Sequence, residues 1–176
     1  MTCRCRHGHG PSRRAVLGLI AAAAVAPLAA CDDGPQTGPG AIHWDRDVCE
    51  LCRMMISDPH FVAQVRGGPK RKLYVFDDIG CAINWLNDQP WAGDAETEIW
   101  VADHASTRDK VAWLDAREAW FTPGPASPMA YNYAAGTEKT DTALRFEDLT
   151  GRILSNAPNH ICPVPGSQDR RQERAS

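Results

Sequence analysis

Residues 61–86, FVAQVRGGPKRKLYVFDDIGCAINWL, decide the fold, because clear strand and helix signals follow one another there. The run 61–65 is β-prone and ends at the turn signal Gly67-Gly68-Pro69 at 67–69. Residues 72–76 alternate apolar and polar side chains, which is the period of a half-buried strand. The two runs therefore predict a β-hairpin.

A helix follows the hairpin directly. Asp77 or Asp78 offers an N-cap, and apolar residues recur at helical spacing over 79–86, until Asn-Asp-Gln-Pro at 87–90 ends the helix. Residues 98–102 predict the next strand. The predicted order is strand, strand, helix, strand.

A similar order recurs in the second half of the chain as a pattern, although there is no clear sequence repeat. The predicted elements are strands over 111–114, 119–121 and 130–134, a helix over 142–150 that Gly151 ends, and a strand over 152–155. We therefore expect an α+β fold of two small ββαβ-like lobes, at about 43–104 and 110–158.

The first thirty residues have the layout of an export signal. Arg13 and Arg14 end a basic region, and the apolar run Ala15–Ala30 is 16 residues long. A helix needs roughly 20 residues to cross a bilayer. Residues 1–30 are therefore predicted to be a cleaved signal peptide, and the arginine pair leaves the general and the twin-arginine export routes both open.

Lipid is the predicted anchor. Residues 28–31, LAAC, resemble the lipobox of bacterial lipoproteins, in which the cysteine is lipidated and becomes the new amino terminus. Cys31 is thus the predicted lipid attachment site, and residues 31–42, rich in Gly and Pro, form a predicted flexible tether. Residues 43–163 form the predicted domain, and 164–176 a polar, disordered tail.

The charge of the mature chain limits its partners. Loss of residues 1–30 removes four arginines and no acidic residue, which changes the formal charge from −3 to −7. An acidic chain argues against binding to nucleic acid and against electrostatic binding to anionic lipid.

Cys49 and Cys52 are the most informative of the cysteines that remain after cleavage. A C-x-x-C turn brings two sulfurs close together, which suits a redox dithiol, half of a zinc site, or a thiolate pair for a soft cation. The redox alternative requires the motif at the amino end of a helix, and residues 54–59 are a poor helix start. A structural zinc site requires four ligands, and the sequence holds no second C-x-x-C, so Cys81, Cys162 and the histidines would have to supply the missing ligands singly.

Met54 shifts the prediction towards copper(I). A thioether is soft and uncharged and needs no deprotonation, so it favours copper(I) over zinc and over hard cations. Core packing remains the alternative for Met54 and for Met55, which point to opposite faces if the segment is extended.

Other residues are weaker candidates. Met129 follows the Pro-rich stretch 122–128 and is either a ligand or a core residue. Cys81 lies within the apolar spacing of the first helix and is expected to be a buried packing residue, while Cys162 is free, paired or a late ligand. Three histidines are soft enough to join a copper site, although each is expected to be a surface or structural residue: His43, His60 and His104.

Several segments together resemble the NosL family, the accessory lipoproteins of nitrous-oxide reductase. They are DVCELCRMMI at 47–56, AQV at 63–65, FDDIGC at 76–81 with Trp85, and SPM at 127–129. The resemblance spans roughly residues 44–155 together with the lipobox. It implies two ββαβ-like lobes related to the fold of organomercurial lyase.

The resemblance also implies a function. The chain would be a membrane-anchored copper(I) chaperone on the periplasmic side, without enzymatic activity, that serves maturation of nitrous-oxide reductase. The implied partners are a membrane ABC-type maturation complex or the apo reductase. Carried over residue by residue, the implied copper ligands are Cys49, Cys52, Met54 and Met129. This chain departs from the family pattern at 130–133, where AYNY replaces small residues.

Two alternatives from other classes stay open. One is a thiol redox or lyase-type enzyme that uses Cys49 and Cys52, and the other is a structural zinc-binding lipoprotein.

Overall fold

The computed structural model describes residues 37–156, so the predicted signal peptide, Cys31, Cys162 and the predicted tail lie outside the described residues. The described chain runs through six strands and two helices: β1 (Ala63–Gly67), β2 (Lys72–Phe76), α1 (Ile79–Asn87), β3 (Glu98–Ala102), β4 (Trp113–Asp115), β5 (Trp120–Pro123), β6 (Tyr133–Gly136) and α2 (Phe146–Leu154). The predicted α+β fold class is confirmed.

Four strands form an antiparallel sheet in the order β2-β1-β3-β4. Ala63 at the start of β1 pairs with Phe76 at the end of β2 and with Val101 near the end of β3. These strand ends therefore lie together at one end of the sheet. Asp78 caps α1 there, because its side chain accepts a hydrogen bond of 3.1 Å from the backbone N–H of Gly80.

Helix α1 and one face of the sheet form the main core. Along the helix, Ile79, Ala82, Ile83 and Leu86 are buried in one cluster with Val65 of β1. The apolar spacing that predicts the helix is thus the spacing of its buried side. The hairpin, α1 and β3 agree with their predicted positions within one or two residues.

The opposite face of the sheet is covered by the chain that precedes the C-x-x-C motif. Gln64 is fully buried and exchanges two hydrogen bonds with the backbone of Gly40, at 2.8 and 3.1 Å. Arg66 donates to the carbonyl oxygen of Gly38 at 2.9 Å. Residues 38–40, which the sequence assigns to a flexible tether, are therefore held against the sheet.

The second half of the chain supplies a two-stranded sheet of β5 and β6 and the helix α2. β4 pairs with β3 and so belongs to the first sheet. α2 packs against α1 and β5. Phe121, Leu149 and Ile153 lie in the same cluster as the buried residues of α1, which makes the core continuous.

Two predictions in this half are wrong. The helix predicted over 142–150 begins at Phe146 and continues to Leu154, so the predicted strand over 152–155 is mostly helical. Gly151 is exposed within the helix and does not end it. Leu149 and Ile153, four residues apart, are both buried, and this packing outweighs the unfavourable helix propensity of the glycine.

None of the helices within residues 37–156 has the length and apolar character that would let it cross a membrane.

Candidate metal centre

The C-x-x-C motif lies at the tip of a short hairpin loop, residues 45–56. The backbone N–H of Ile56 donates to the carbonyl oxygen of Asp47 at 2.9 Å, and that of Cys49 donates to the carbonyl oxygen of Met54 at 2.9 Å. Arg53 closes the turn with φ of 65°, in the left-handed region. Neither cysteine is at a helix N-terminus, so no helix dipole acts on their thiols.

The hairpin loop lies against the start of α1. The backbone N–H of Glu50 donates to the carbonyl oxygen of Val75 near the end of β2, at 2.9 Å. Asp77 follows β2 directly, and Cys81 lies in the first turn of α1. The end of β2 and the start of α1 thus supply two side chains to the place where the loop supplies Cys49 and Cys52.

These four side chains form one cluster. The sulfurs of Cys49, Cys52 and Cys81 and a carboxylate oxygen of Asp77 all lie within 4.8 Å of one another. The Cys52 thiol donates to the Asp77 carboxylate, at 3.3 and 3.5 Å from its two oxygens. Cys49 and Cys81 are fully buried, whereas Cys52 is partly exposed. We refer to Cys49, Cys52, Cys81 and Asp77 as the thiol site.

The three thiols differ in acidity. A hydrogen bond from the Cys81 thiol, aided by the backbone N–H groups of Asp77 and Cys52, lowers the pKa of Cys49 from 9.0 to about 7, although burial opposes this. Burial raises the pKa of Cys52 to about 12. The hydrogen bond to Cys49 and burial both raise the pKa of Cys81.

Near neutral pH, Cys49 is therefore the thiol that ionises most readily, whereas Cys52 and Cys81 stay protonated. A cation that binds all three sulfurs has to displace the protons of Cys52 and Cys81. The Cys52 proton already points to the Asp77 carboxylate, which accepts it in a hydrogen bond. The donor set suits a soft or borderline metal ion, because three of its four donors are sulfur.

Met54 lies on the side of the hairpin loop that carries Cys49. Val48 and Met55 form an antiparallel bridge in the hairpin loop. Cys49 and Met54 are therefore the next pair towards its tip. Directly opposed residues share a face, and successive residues alternate between faces. Met55 therefore lies on the face of Val48. Met54 is 49% exposed and Met55 60%, so neither is a core residue.

Met129 lies on a loop, residues 124–132, that contacts the start of α1. Its backbone N–H donates to a carboxylate oxygen of Asp78 at 3.3 Å. Its side chain is partly buried and packs against the main core of the domain. Ligation of a metal by Met54 or Met129 stays a prediction.

The candidate histidines lie elsewhere. His60 and His104 form a pair with ring centroids 5.2 Å apart, and Nδ1 of His60 is 2.7 Å from the carbonyl oxygen of His104. His43 is exposed and lies 3.3 Å from Asp47. Within residues 37–156, the cluster of possible metal-binding groups contains no histidine.

Sequence reasoning missed two members of the thiol site. Cys81 is buried, as predicted, but its sulfur belongs to the cluster. From the sequence, Asp77 is predicted only as a possible helix cap, and the cap is Asp78. The available signal was the FDDIGC segment at 76–81, in which a carboxylate and a thiol flank a helix start. Its meaning depends on the packing of the hairpin loop, which spacing along the chain does not reveal.

Comparison with known proteins gives three findings. No curated protein sequence matches the chain. Among solved structures, the crystal structure of the copper chaperone NosL from Shewanella denitrificans is similar, with 20% sequence identity, 67% of this chain and 88% of that chain covered, and a TM-score of 0.47. The sequence model of the NosL family matches residues 42–157, which hold the whole thiol site. The chain therefore belongs to the NosL family.

Proposed function

We propose that this protein is a copper(I) chaperone, anchored by lipid on the periplasmic side of a bacterial membrane, that delivers copper for maturation of nitrous-oxide reductase. One observation carries the proposal: the sulfurs of Cys49, Cys52 and Cys81 converge within 4.8 Å in a domain of the NosL family. The thiol site has the donors that a soft cargo ion requires.

Burial of the sulfurs favours copper(I) in particular. Cys49 and Cys81 are shielded from water, so an ion held between them is protected from solvent and oxidant. Low-coordinate sulfur sites suit copper(I), and Met54 offers an uncharged thioether on the Cys49 face of the loop. Asp77 is a hard donor, and we assign it to the proton of Cys52 rather than to the copper.

Release of the cargo requires an accessible side of the site. Cys52 is partly exposed, and Met54 beside it is 49% exposed. An acceptor protein can therefore replace these outer donors first, while Cys49 and Cys81 still hold the ion. Such stepwise ligand exchange needs no free copper and no bond-making catalysis.

The membrane anchor and the acceptor rest on the sequence. The lipobox at 28–31 supports lipidation of Cys31, and membership of the NosL family supports nitrous-oxide reductase maturation, through an ABC-type complex or the apo reductase.

A zinc site is the second candidate. Three cysteines and one aspartate provide four donors, the number that a closed tetrahedral zinc site takes. In that case the metal would stabilise the fold permanently and would not be cargo.

Competitive titration separates the two candidates. We expect the reduced full-length protein to take copper(I) from a chromophoric chelator and to bind zinc much more weakly. Cys52→Ser should abolish copper(I) binding and Met54→Ala should weaken it, whereas Met55→Ala, on the opposite face of the hairpin, is the matched control and should bind like wild type. Unchanged copper(I) affinity in Cys52→Ser would exclude this site.

A gene deletion tests the acceptor. Cells that lack this protein should lose nitrous-oxide reduction at limiting copper and recover it when copper is abundant. Unimpaired reduction at limiting copper would contradict the assignment to nitrous-oxide reductase and leave copper binding intact.

A further inference from the structure

Asp78 joins two parts of the molecule through one carboxylate. Its side chain is fully buried. Oδ1 accepts the backbone N–H of Gly80 at 3.1 Å, which caps α1. Oδ2 accepts the hydroxyl of Ser127 at 2.5 Å and the backbone N–H of Met129 at 3.3 Å. Oδ1 thus caps the helix, while Oδ2 attaches the loop that carries Met129 by hydrogen bonds.

Tyr131 makes a second contact between this loop and α1. Its ring lies against Gly80, where an added Cβ would be 2.1 Å from the Cγ of Tyr131. Its hydroxyl accepts a hydrogen bond of 3.0 Å from the side-chain amide of Asn84, which also donates to the carbonyl oxygen of Gly80 at 2.8 Å. Helix α1 therefore offers a fitted surface to the loop.

The loop has an unfavourable backbone conformation at one residue. Ala130 has φ of 56°, in the left-handed region that few non-glycine residues occupy, whereas Asn132, with φ of 61°, is of a residue type that tolerates this region. Within the loop, Ser127 and Asn132 exchange two hydrogen bonds, at 2.9 and 3.1 Å. The same Ser127 hydroxyl donates to Asp78, so the internal fold of the loop and its attachment to α1 are linked.

The attachment lies beside the thiol site. Asp78 follows Asp77, whose carboxylate contacts the Cys52 thiol, and precedes Cys81 by three residues. The side chain of Met129 packs against the main core, whose buried residues include Cys49 and Cys81. We propose that Asp78 is a positioning residue, which fixes the 124–132 loop on α1 so that the thioether of Met129 serves the thiol site as a further soft donor.

The inference rests on the proposed copper(I) function and deepens it. It also gives a role to the residues at 130–133 that depart from the family pattern, because Tyr131 and Asn132 both take part in the attachment.

A double-mutant cycle on the full-length protein tests this proposal with copper(I) itself as the probe. Ser127→Ala removes a contact to Asp78, and Met129→Leu removes the sulfur but keeps the apolar bulk. Each change should weaken copper(I) binding by about 10- to 100-fold, the range typical of residues that orient metal ligands. The double variant should bind no more weakly than Met129→Leu alone, because both changes remove the same interaction.

Two further variants complete the cycle. Ser127→Thr keeps the hydroxyl and should restore wild-type affinity. Ser155→Ala removes a hydroxyl that bonds only within the end of α2, at 2.9 Å from the carbonyl oxygen of Arg152, and should have no effect. Asp78→Asn keeps an acceptor for the helix cap and replaces the other oxygen with a donor, so it should reproduce the loss seen in Ser127→Ala.

The count of sulfur atoms around bound copper separates positioning from general stability. X-ray absorption should find one fewer sulfur in both Ser127→Ala and Met129→Leu, which a merely structural role for Ser127 would not produce. Additive losses of affinity, or an unchanged sulfur count in Ser127→Ala, would overturn the proposal. If Cys52→Ser abolishes binding while Met129→Leu has no effect, only this inference fails. If Cys52→Ser binds normally, the proposed function fails with it.

Discussion

Three thiols within 4.8 Å of one another have different affinities for protons, and the difference comes from their hydrogen bonds and burial. Cys49 receives hydrogen bonds from Cys81 and from two backbone N–H groups, so its thiolate is stabilised. Cys52 lies at the partly exposed side, yet desolvation outweighs the help that it receives from the backbone of Met54. Cys49 is thus the thiol of the site that ionises most readily before any metal binds.

The acidity of Cys49 can be tested through its main cause. In wild type, ultraviolet thiolate absorbance should show one transition near pH 7, which Cys49→Ser removes. Cys81→Ala should move this transition upwards, towards the ordinary value of 9.0, because the largest stabilising hydrogen bond is lost. A transition that stays near pH 7 in Cys81→Ala would contradict this account.

Asp78 gives a pH dependence of stability with a defined sign. Burial raises the pKa of its carboxyl from 3.8 to about 6, although Ser127, Gly80 and Met129 hydrogen-bond to it. The folded state therefore holds this proton more firmly than the unfolded chain, so ionisation of Asp78 lowers the stability of the protein as the pH rises from about 4 to about 6. The stabilising contribution of the protonated carboxyl is complete below the ordinary pKa of 3.8 and is lost above the folded-state pKa of about 6.

Denaturant unfolding of Asp78→Asn across this range measures the effect. The free energy of unfolding of the variant minus that of wild type should rise between about pH 4 and about pH 6 and level off above about pH 7, because only wild type loses the contribution. Ser155→Ala, remote from any titrating group of the site, should give a flat difference. A flat difference for Asp78→Asn would show that the carboxyl is not perturbed by folding.

At the scale of secondary-structure elements, the glycines of α1 and α2 differ in their surroundings. Gly80 in the first turn of α1 is a contact point, where a methyl group would overlap the ring of Tyr131. Gly151 in α2 is exposed and has no atom within 4 Å of an added Cβ. The same substitution should therefore have opposite effects in the two helices.

Thermal and denaturant unfolding test this contrast. Gly80→Ala should lower the free energy of unfolding by about 1–3 kcal/mol, as overpacking of a close contact does. Gly151→Ala should raise it by roughly 0.5–1 kcal/mol, because alanine has the better helix propensity. Equal effects of the two substitutions would mean that the ring of Tyr131 does not pack closely against Gly80 in solution.

The elements also show where sequence reasoning holds and where it fails. The hairpin, α1 and β3 were predictable, since apolar periodicity, a turn signal and an aspartate cap all agree there. The end of α2 could not be predicted in this way. Gly151 is a weak helix stop signal, and the burial of Leu149 and Ile153 outweighs it. For the site, Cys49 and Cys52 follow from their spacing, but the inclusion of Cys81 and Asp77 depends on a contact between the hairpin loop and α1.

At the scale of the whole molecule, the thiol site joins segments that are distant in the sequence. The hairpin loop at 45–56 precedes β1, whereas Asp77 and Cys81 follow β2. Residues 38–40 are fixed on the far face of the sheet by Gln64, Arg66 and Glu98. An ion bound to both the loop and α1 therefore ties the amino-terminal part of the domain to its core.

Copper(I) should accordingly stabilise the fold, since a ligand that binds only the folded state raises the free energy of unfolding. At a free concentration about 100 times the Kd, the expected gain is about 2.7 kcal/mol. Differential scanning calorimetry of the reduced full-length protein, with and without copper(I), measures it. Cys52→Ser should lose the gain and Met55→Ala should keep it, while equal stabilisation of all three would indicate binding elsewhere on the chain.

X-ray absorption at the copper edge of the copper(I)-loaded full-length protein tests the central claim most directly. We expect a first shell dominated by sulfur in wild type, a shell with fewer sulfurs in Cys81→Ser, and no bound copper in Cys52→Ser. A shell of nitrogen and oxygen, or a sulfur shell that neither substitution changes, would contradict the assignment of the thiol site as the place where copper is held.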